Sequence, residues 1–482
     1  MRQAKLILTC AVFTALICAC TLGPNFKQPA APETTAYSKS LPAEGMAYGA
    51  DVADDWYGVF HSDALNSLIR QALTNSPGLA AARHGLLAAQ YELKATSGAM
   101  LPQIGVTGQI GRDHANGSFL YGPVNELDVT GNRFMLGPSL AYTLDLFGGI
   151  RRSVESQRAA TSSARDQVLD TYITLVDQVT INAFNYAATR AQIEVTRALV
   201  DQLRDQYQLT ARLEQAGKSI RSDTLLAQTQ WQNVAATLPG LEQQRDAYRN
   251  ALAQLSGVAP DDFHVPELSL RDFSLPAAVP ASVPSVLVRH RPDILAAEDN
   301  LHQASARIGV AQAARFPSIS LSAQYAQQTT AINDFLTRPG SVWSLGADLS
   351  APLFDGGALS AREKEAKQQY LQAQETYRST VIAAFVEVAN ALQAIEHDRA
   401  AYLAHGDALA AARANSDLAH LQFRAGRFTE LQLLTAEQQY QQASLTQVQA
   451  DVQRFTDIAS LFRALGGGWW NAAQDPALAT AQ

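Results

Sequence analysis

The chain has 482 residues, 47% of them apolar, with 37 Lys plus Arg against 45 Asp plus Glu, so the net charge is 37 − 45 = −8. That apolar share excludes wholesale disorder, and an acidic balance without a basic run excludes nucleic acid as a partner. Beyond the first 23 residues no window reaches the ~18 apolar residues of a membrane helix. A helical transporter is thereby excluded, but not a β-barrel, whose strands are short and alternate.

In chain order, Arg2 and Lys5 precede an apolar run from Leu6 to Ala19, the pattern of a signal peptide over residues 1–19. It ends at Ile17-Cys18-Ala19-Cys20, which resembles a bacterial lipobox, with cleavage before Cys20 and acylation of its thiol. A plain secretory signal cut near Ala19 is the alternative. All three cysteines lie in the first 20 residues, so cleavage leaves one and forbids an intrachain disulfide. Residues 20–60 carry Pro24, Pro29, Pro32 and Pro42, which exclude a long helix and predict a lipid-anchored extended tether.

The remainder reads as one unit written twice. Pro77 and Pro102 bracket a helical stretch, as Pro292 and Pro317 do; Leu146-Phe-Gly-Gly149 answers Leu353-Phe-Asp-Gly-Gly357. Gln215-Ala-Gly-Lys218 answers Arg424-Ala-Gly-Arg427, and Ala253-Gln-Leu-Ser-Gly257 answers Arg463-Ala-Leu-Gly-Gly467. These landmarks share one order and an offset of about 210 residues, so the chain is a tandem duplication. The repeats cover residues 61–260 and 286–468, joined by a linker at 261–285 and followed by a tail at 469–482.

Each repeat begins with a helix and continues with two alternating runs. Residues 103–111 set Ile104, Val106 and Ile110 against Thr107 and Gln109, and residues 134–147 set Leu136, Leu140, Tyr142 and Leu144 against Ser139 and Thr143. In the second repeat, Ile319, Leu321 and Tyr325 oppose Ser320, Ser322 and Gln324, and Trp343, Leu345 and Leu349 oppose Ser344, Asp348 and Ser350. Period-two alternation over ~10 residues is the mark of a transmembrane β-strand, and also of a half-buried strand in a soluble sheet.

A long helix follows each strand pair. Residues 150–216 contain neither Gly nor Pro, and as α-helix residues 150–213 would extend about 95 Å. Each rod turns at a glycine, Gly217 or Gly426, and a returning helix is predicted over 222–255 and 430–465.

Four strands cannot close a barrel, and lipid does not tolerate an open sheet edge. The smallest membrane barrels have about eight strands, filled by side chains, while a trimer would supply twelve and room for a lumen. Phe134, Tyr142, Trp343 and Phe354 are expected to form aromatic girdles, and the loops 112–133 and 327–341 to face outside.

These residues resemble the TolC-like outer-membrane efflux factors, in particular the lipoprotein branch that serves resistance-nodulation-division pumps. The most specific segment is Val283-Pro-Ser-Val-Leu-Val-Arg-His-Arg-Pro-Asp-Ile-Leu-Ala-Ala-Glu298; Gln422-Phe-Arg-Ala-Gly426 and Ala464-Leu-Gly-Gly-Gly-Trp469 support it. The resemblance implies a mixed α/β membrane protein: a homotrimer with a twelve-stranded β-barrel, four strands per chain, continued by a long periplasmic α-helical barrel. It implies a periplasmic adaptor and an inner-membrane pump as partners, and no cofactor. The helical tips would meet the adaptor, which here means Gly217, Lys218, Arg221, Gly426 and Arg427. Asp417, His420 and Arg424 are candidates for the closed aperture.

Catalytic motifs fail on inspection. Gly217-Lys218-Ser219 resembles the end of a phosphate-binding loop, but Arg212 stands where its leading glycine belongs. Two rivals stay open, a channel of a type I protein-secretion system and a purely structural periplasmic lipoprotein.

Overall fold

The computed structural model describes residues 21–30, 46–48, 52–116, 128–276, 279–281, 284–335 and 340–473. The strands are β1 (Met46–Tyr48), β2 (Gln103–Asn116), β3 (Asp128–Leu144), β4 (Val279–Ala281), β5 (Ser318–Thr329) and β6 (Ser341–Ser350). The helices of the first repeat are α1 (Asp63–Asn75), α2 (Pro77–Gly98), α3 (Gly149–Gln215), α4 (Arg221–Ala235) and α5 (Leu238–Leu255). Those of the second are α6 (Pro284–His290), α7 (Pro292–Ala313), α8 (Ala358–Arg424) and α9 (Glu430–Ala464). The described residues form two compact units. One holds Leu87–Ser163, Ala297–Tyr377 and the N-terminal residues through Pro29; the other holds the rest.

The first unit is built on a four-stranded antiparallel sheet in the order β2-β3-β5-β6. Among the described residues β2 pairs only with β3 and β6 only with β5, so both edges are open there. Two strands differ in extent from the alternating pattern. β2 continues to Asn116 because the polar residues that end its alternation pair across the hairpin: Arg133 Nε lies 3.0 Å from Asp113, and His114 Nδ1 2.9 Å from Thr130 Oγ1. β3 stops at Leu144, three residues early, because Asp145 turns away to accept hydrogen bonds from Ile150 N and Arg151 N at 3.0 and 2.9 Å, capping α3. β6 stops before Pro352, which cannot donate to a ladder. Phe354 thus lies beyond β6, while Trp343 stands within it, exposed. Of the predicted outer loops, residues 112–116 and 128–133 belong to β2 and β3 and residues 327–329 and 341 to β5 and β6, while 117–127 and 336–339 lie outside the described residues.

The second unit holds most of the helical residues. α3 and α8 are 67 residues each, about 100 Å of α-helix apiece. The returning helix of the first repeat is broken, contrary to the single helix expected there: α4 ends at Ala235 and α5 begins at Leu238. Pro239 explains the break, since it donates no hydrogen bond and its ring clashes with the carbonyl four residues back. No proline interrupts the returning helix of the second repeat, and α9 runs unbroken. One window of α8 is apolar enough to cross a membrane by composition. The helix is several times longer than the ~30 Å bilayer core, and charged residues such as Glu363, Lys364, Arg399 and Asp407 punctuate it.

An aromatic core closes this unit. Trp56 and Phe60 of a short 3-10 helix pack on Phe462 and Phe184, with ring centroids 5.2 and 4.9 Å apart, and Phe273 meets Phe184 at 4.8 Å. Segments read as tether and linker therefore contribute to the core. Phe263, Leu268 and Phe273 are buried, and β1 pairs in parallel with β4.

Candidate functional site

The two helical turns are copies of each other at the level of single hydrogen bonds. At the first, Lys218 N donates to Leu213 O at 2.8 Å and Gly217 N to Glu214 O at 2.9 Å. At the second, Arg427 N donates to Gln422 O and Gly426 N to Phe423 O, both at 2.9 Å. Gly217 and Gly426 have φ of 70° and 69°, the left-handed conformation that ends a helix in this motif and that a β-carbon strains. Among the described residues, nothing stands within 4 Å of either missing β-carbon. The glycines serve the turn itself rather than a tight contact.

Lys218, Arg221, Arg424 and Arg427 are exposed around the turns. Arg221 Nη1 lies 3.7 Å from Glu214 Oε1, a weak surface pair. Asp417 is exposed as well, whereas His420 is turned inward. Its Nε2 lies 3.0 Å from Glu437 Oε1 on α9, and Gln202 of α3 donates to the same oxygen at 2.6 Å. So α3, α8 and α9 are tied at one carboxylate that is 2% exposed. Burial pushes Glu437 above its ordinary value, against the pull of Gln202 and His420, and Glu430 adds to the rise. About two turns nearer the second tip, Glu430 accepts from Thr210 Oγ1 at 2.5 Å and Gln206 Nε2 at 3.3 Å. Leu199, Leu203, Val234 and Leu434 pack beside this ladder.

Glu430 and Glu437 escape a reading of the sequence because, in a glutamine-rich run, nothing local distinguishes a buried carboxylate from a solvated one. Only Thr429-x-x-Gln432 carried a signal. It forms the capping box that opens α9, with Thr429 N donating to Gln432 Oε1 at 2.8 Å.

The Arg-Pro-Asp segment has a structural task. Arg291 donates to Asp293 through Nε and Nη2 at 3.0 and 2.7 Å, and through Nη1 to Glu387 Oε2 at 2.7 Å and the Ala464 carbonyl at 2.9 Å. Arg463 also pairs with Glu387 and reaches Asp177 at 3.4 Å. Burial raises Asp177 to about 6 against the pull of Arg463. The start of α7, the middle of α8 and the end of α9 meet at this cluster.

At the foot of the sheet, the N-terminal segment is clamped. Leu22 N donates to Phe147 O at 3.2 Å. Arg152 donates to Leu22 O at 3.0 Å, Gly23 O at 3.2 Å and Asn25 Oδ1 at 2.8 Å. Phe26 stacks on His302 at 4.3 Å, and His302 meets Glu155 at 3.0 Å. A β-carbon on Gly309 would lie 2.7 Å from Leu22 O, so only glycine admits the segment. Cys20 itself lies outside the described residues.

A sheet with two open edges and an exposed apolar face, joined to helical hairpins of this length, defines a subunit of an outer-membrane channel. Residues 68–258 and 283–467 match the family described as outer membrane efflux protein, and the chain belongs to that family. It is 29% identical to the toluene efflux pump outer membrane protein TtgC of Pseudomonas putida over 97% of this chain and 96% of that one. It is also 29% identical to the pyoverdine export outer membrane protein OpmQ of Pseudomonas aeruginosa, over 98% of each. The solved MtrE outer membrane channel of Neisseria gonorrhoeae superposes with a TM-score of 0.81 at 26% identity, over 94% of this chain and 100% of that one.

Proposed function

We propose that three copies of the chain close one β-barrel in the outer membrane and form the exit duct of a tripartite efflux pump. The duct carries drugs and other small toxic compounds outward. A periplasmic adaptor docks on the two glycine tips, and an inner-membrane resistance-nodulation-division transporter supplies the energy. The carrying observation is the four-stranded sheet: both edges are unpaired, while Ile104, Val106, Ile110, Leu345 and Leu349 stand exposed on strands that alternate with polar residues. Lipid forbids open edges, so the strands need further copies to close. The chain itself conducts and does not catalyse. TtgC and OpmQ are equally similar to it, yet their names point to cargoes as different as toluene and pyoverdine. This supports a duct that leaves cargo selection to the pump.

The clamp on Thr21–Phe26 supports an anchor at acylated Cys20. It holds the residue after Cys20 against Gly148, immediately below the end of β3, where the headgroups of a bilayer around the sheet would lie. Native mass spectrometry of detergent-extracted protein tests both claims. The expected species is three chains, each beginning at Cys20 and heavier than its peptide mass by acyl chains. A stable monomer or dimer would break the barrel argument. An unmodified N-terminus after Ala19 would leave anchoring to the barrel alone.

A further inference from the structure

Two clefts adjoin at the foot of the sheet, where β3 runs into α3 and β6 into α8. The first, about 570 Å³, lies at the start of β5, and Leu146, Phe147, Ile150, Phe316 and Leu359 make its lining mainly apolar. The second, about 450 Å³, follows along the helices and shares Val310, Ala314 and Leu359 with the first. It carries two cations, Arg307 of α7 and Arg362 of α8, beside Ser153, Ser156 and Gln157 of α3. Both volumes fall in the range of small-molecule sites, ~300–1,000 Å³.

The second cleft has donors to spare. Arg307 and Arg362 are exposed, and neither has an ion-pair partner among the described residues. The acids around them are engaged: Asp145 with Arg151, Glu155 with Arg152 and His302, and Glu363 with Arg315 and Lys367. Ser156 is 7% exposed, yet its hydroxyl makes no hydrogen bond among the described residues. Thr161, further along the same helix, shows the usual solution by donating to the Gln157 carbonyl at 2.9 Å. A buried hydroxyl left unpaired costs free energy unless something occupies the cleft. The N-terminal segment fixes which way this cleft faces. It packs on Gly309 and stacks on His302, which lie on one face of α7. Arg307, two residues before Gly309, stands about 200° around the helix from it, on the opposite face. A tether held by acyl chains at Cys20 runs on the lipid side, so the face with Arg307 turns to the lumen.

We infer that the two clefts form a lumenal station for an amphiphilic organic anion. Its carboxylate sits on Arg307 and Arg362 with Ser156 as a further donor, and its apolar body lies in the cleft at the foot of the sheet. The inference rests on the lipid-anchored exit duct proposed above and names a class of cargo for it. A planar guanidinium takes a carboxylate through two parallel hydrogen bonds, and a passage lined by one sign of charge concentrates the opposite ion. Each of three copies would bring its two arginines to the same level of the duct. The pump still selects what enters; the station favours anions among what leaves.

Decanoate and decyltrimethylammonium test the station, since they share an apolar chain and differ in the sign of the head. A deletion strain carrying the intact chain should tolerate both. With Arg307→Gln and Arg362→Gln combined, tolerance of decanoate should fall about tenfold, while tolerance of decyltrimethylammonium stays. Equal loss for the two compounds, with the variant still assembled by native mass spectrometry, overturns the anion preference, and so does no loss for either. If the variant fails to assemble, planar-bilayer recordings of the intact protein decide. Decanoate should lower its current where decyltrimethylammonium at the same concentration does not; equal block, or none, overturns the station. An intact chain that restores tolerance of decyltrimethylammonium alone also overturns it. An intact chain that restores tolerance of neither compound overturns the exit-duct reading on which the station rests.

Discussion

Arg291→Ala is expected to cost about 3–5 kcal/mol of stability, the range for removing one partner of a buried ion pair. The side chain is 9% exposed and gives four hydrogen bonds, to Asp293, Glu387 and the Ala464 carbonyl. Truncation leaves the Ala464 carbonyl without this donor and leaves Glu387 with Arg463 alone. Asp177, already raised to about 6 by burial, depends on the same Arg463. Arg291→Lys should recover part of the loss: it restores the charge but not the planar fork that serves three acceptors at once. Thermal unfolding of the detergent-solubilised protein measures both variants. A shift no larger than that of an ordinary surface substitution, about 0.5 kcal/mol, would show that the cluster does not hold the helices together.

Replacing Gly217 or Gly426 by glutamate should abolish transport while leaving assembly and membrane insertion intact. A left-handed non-glycine residue costs roughly 1–2 kcal/mol, which a chain with this much packed helix absorbs. Both sites are open, so no neighbour is displaced. The cap itself uses backbone donors, Lys218 N and Arg427 N, that survive the change. What changes is the surface: an acid appears beside Lys218 or Arg427, on the turn proposed to meet the adaptor. Drug susceptibility of a deletion strain carrying each variant should match that of the empty deletion strain, with Gly217→Asn as the control that tolerates a positive φ. Normal pumping by the glutamate variants would remove the tips from the docking surface.

Most of the architecture was legible because it is periodic. Alternation in residues 103–111 and 318–325, the helical runs free of Gly and Pro, and the glycines at 217 and 426 each have a direct physical cause, and duplication repeats every signal. Boundaries were less legible where polar residues carry the pairing. Asp113 with Arg133, and His114 with Thr130, extend β2 through a stretch with no apolar pattern. The break before α5 is written in the sequence as Pro239, a residue that the returning helix of the other repeat lacks. The site was legible only in part. The turns announce themselves by glycine, but the link from Gln202 through His420 to Glu437 joins residues 218 and 235 positions apart, a distance no local pattern spans. Conversely, the most family-like segment, around Arg291, marks a scaffold cluster and not a surface for a partner.

As proposed above, this chain is the outer-membrane exit of an efflux pump for small toxic compounds. Deleting its gene, in a strain without a substituting paralogue, tests that most directly. Susceptibility to dyes, detergents or antibiotics should rise, and re-expression of the intact chain should restore tolerance. Unchanged tolerance together with a block in the export of a large protein would contradict the account and assign the same fold to protein secretion.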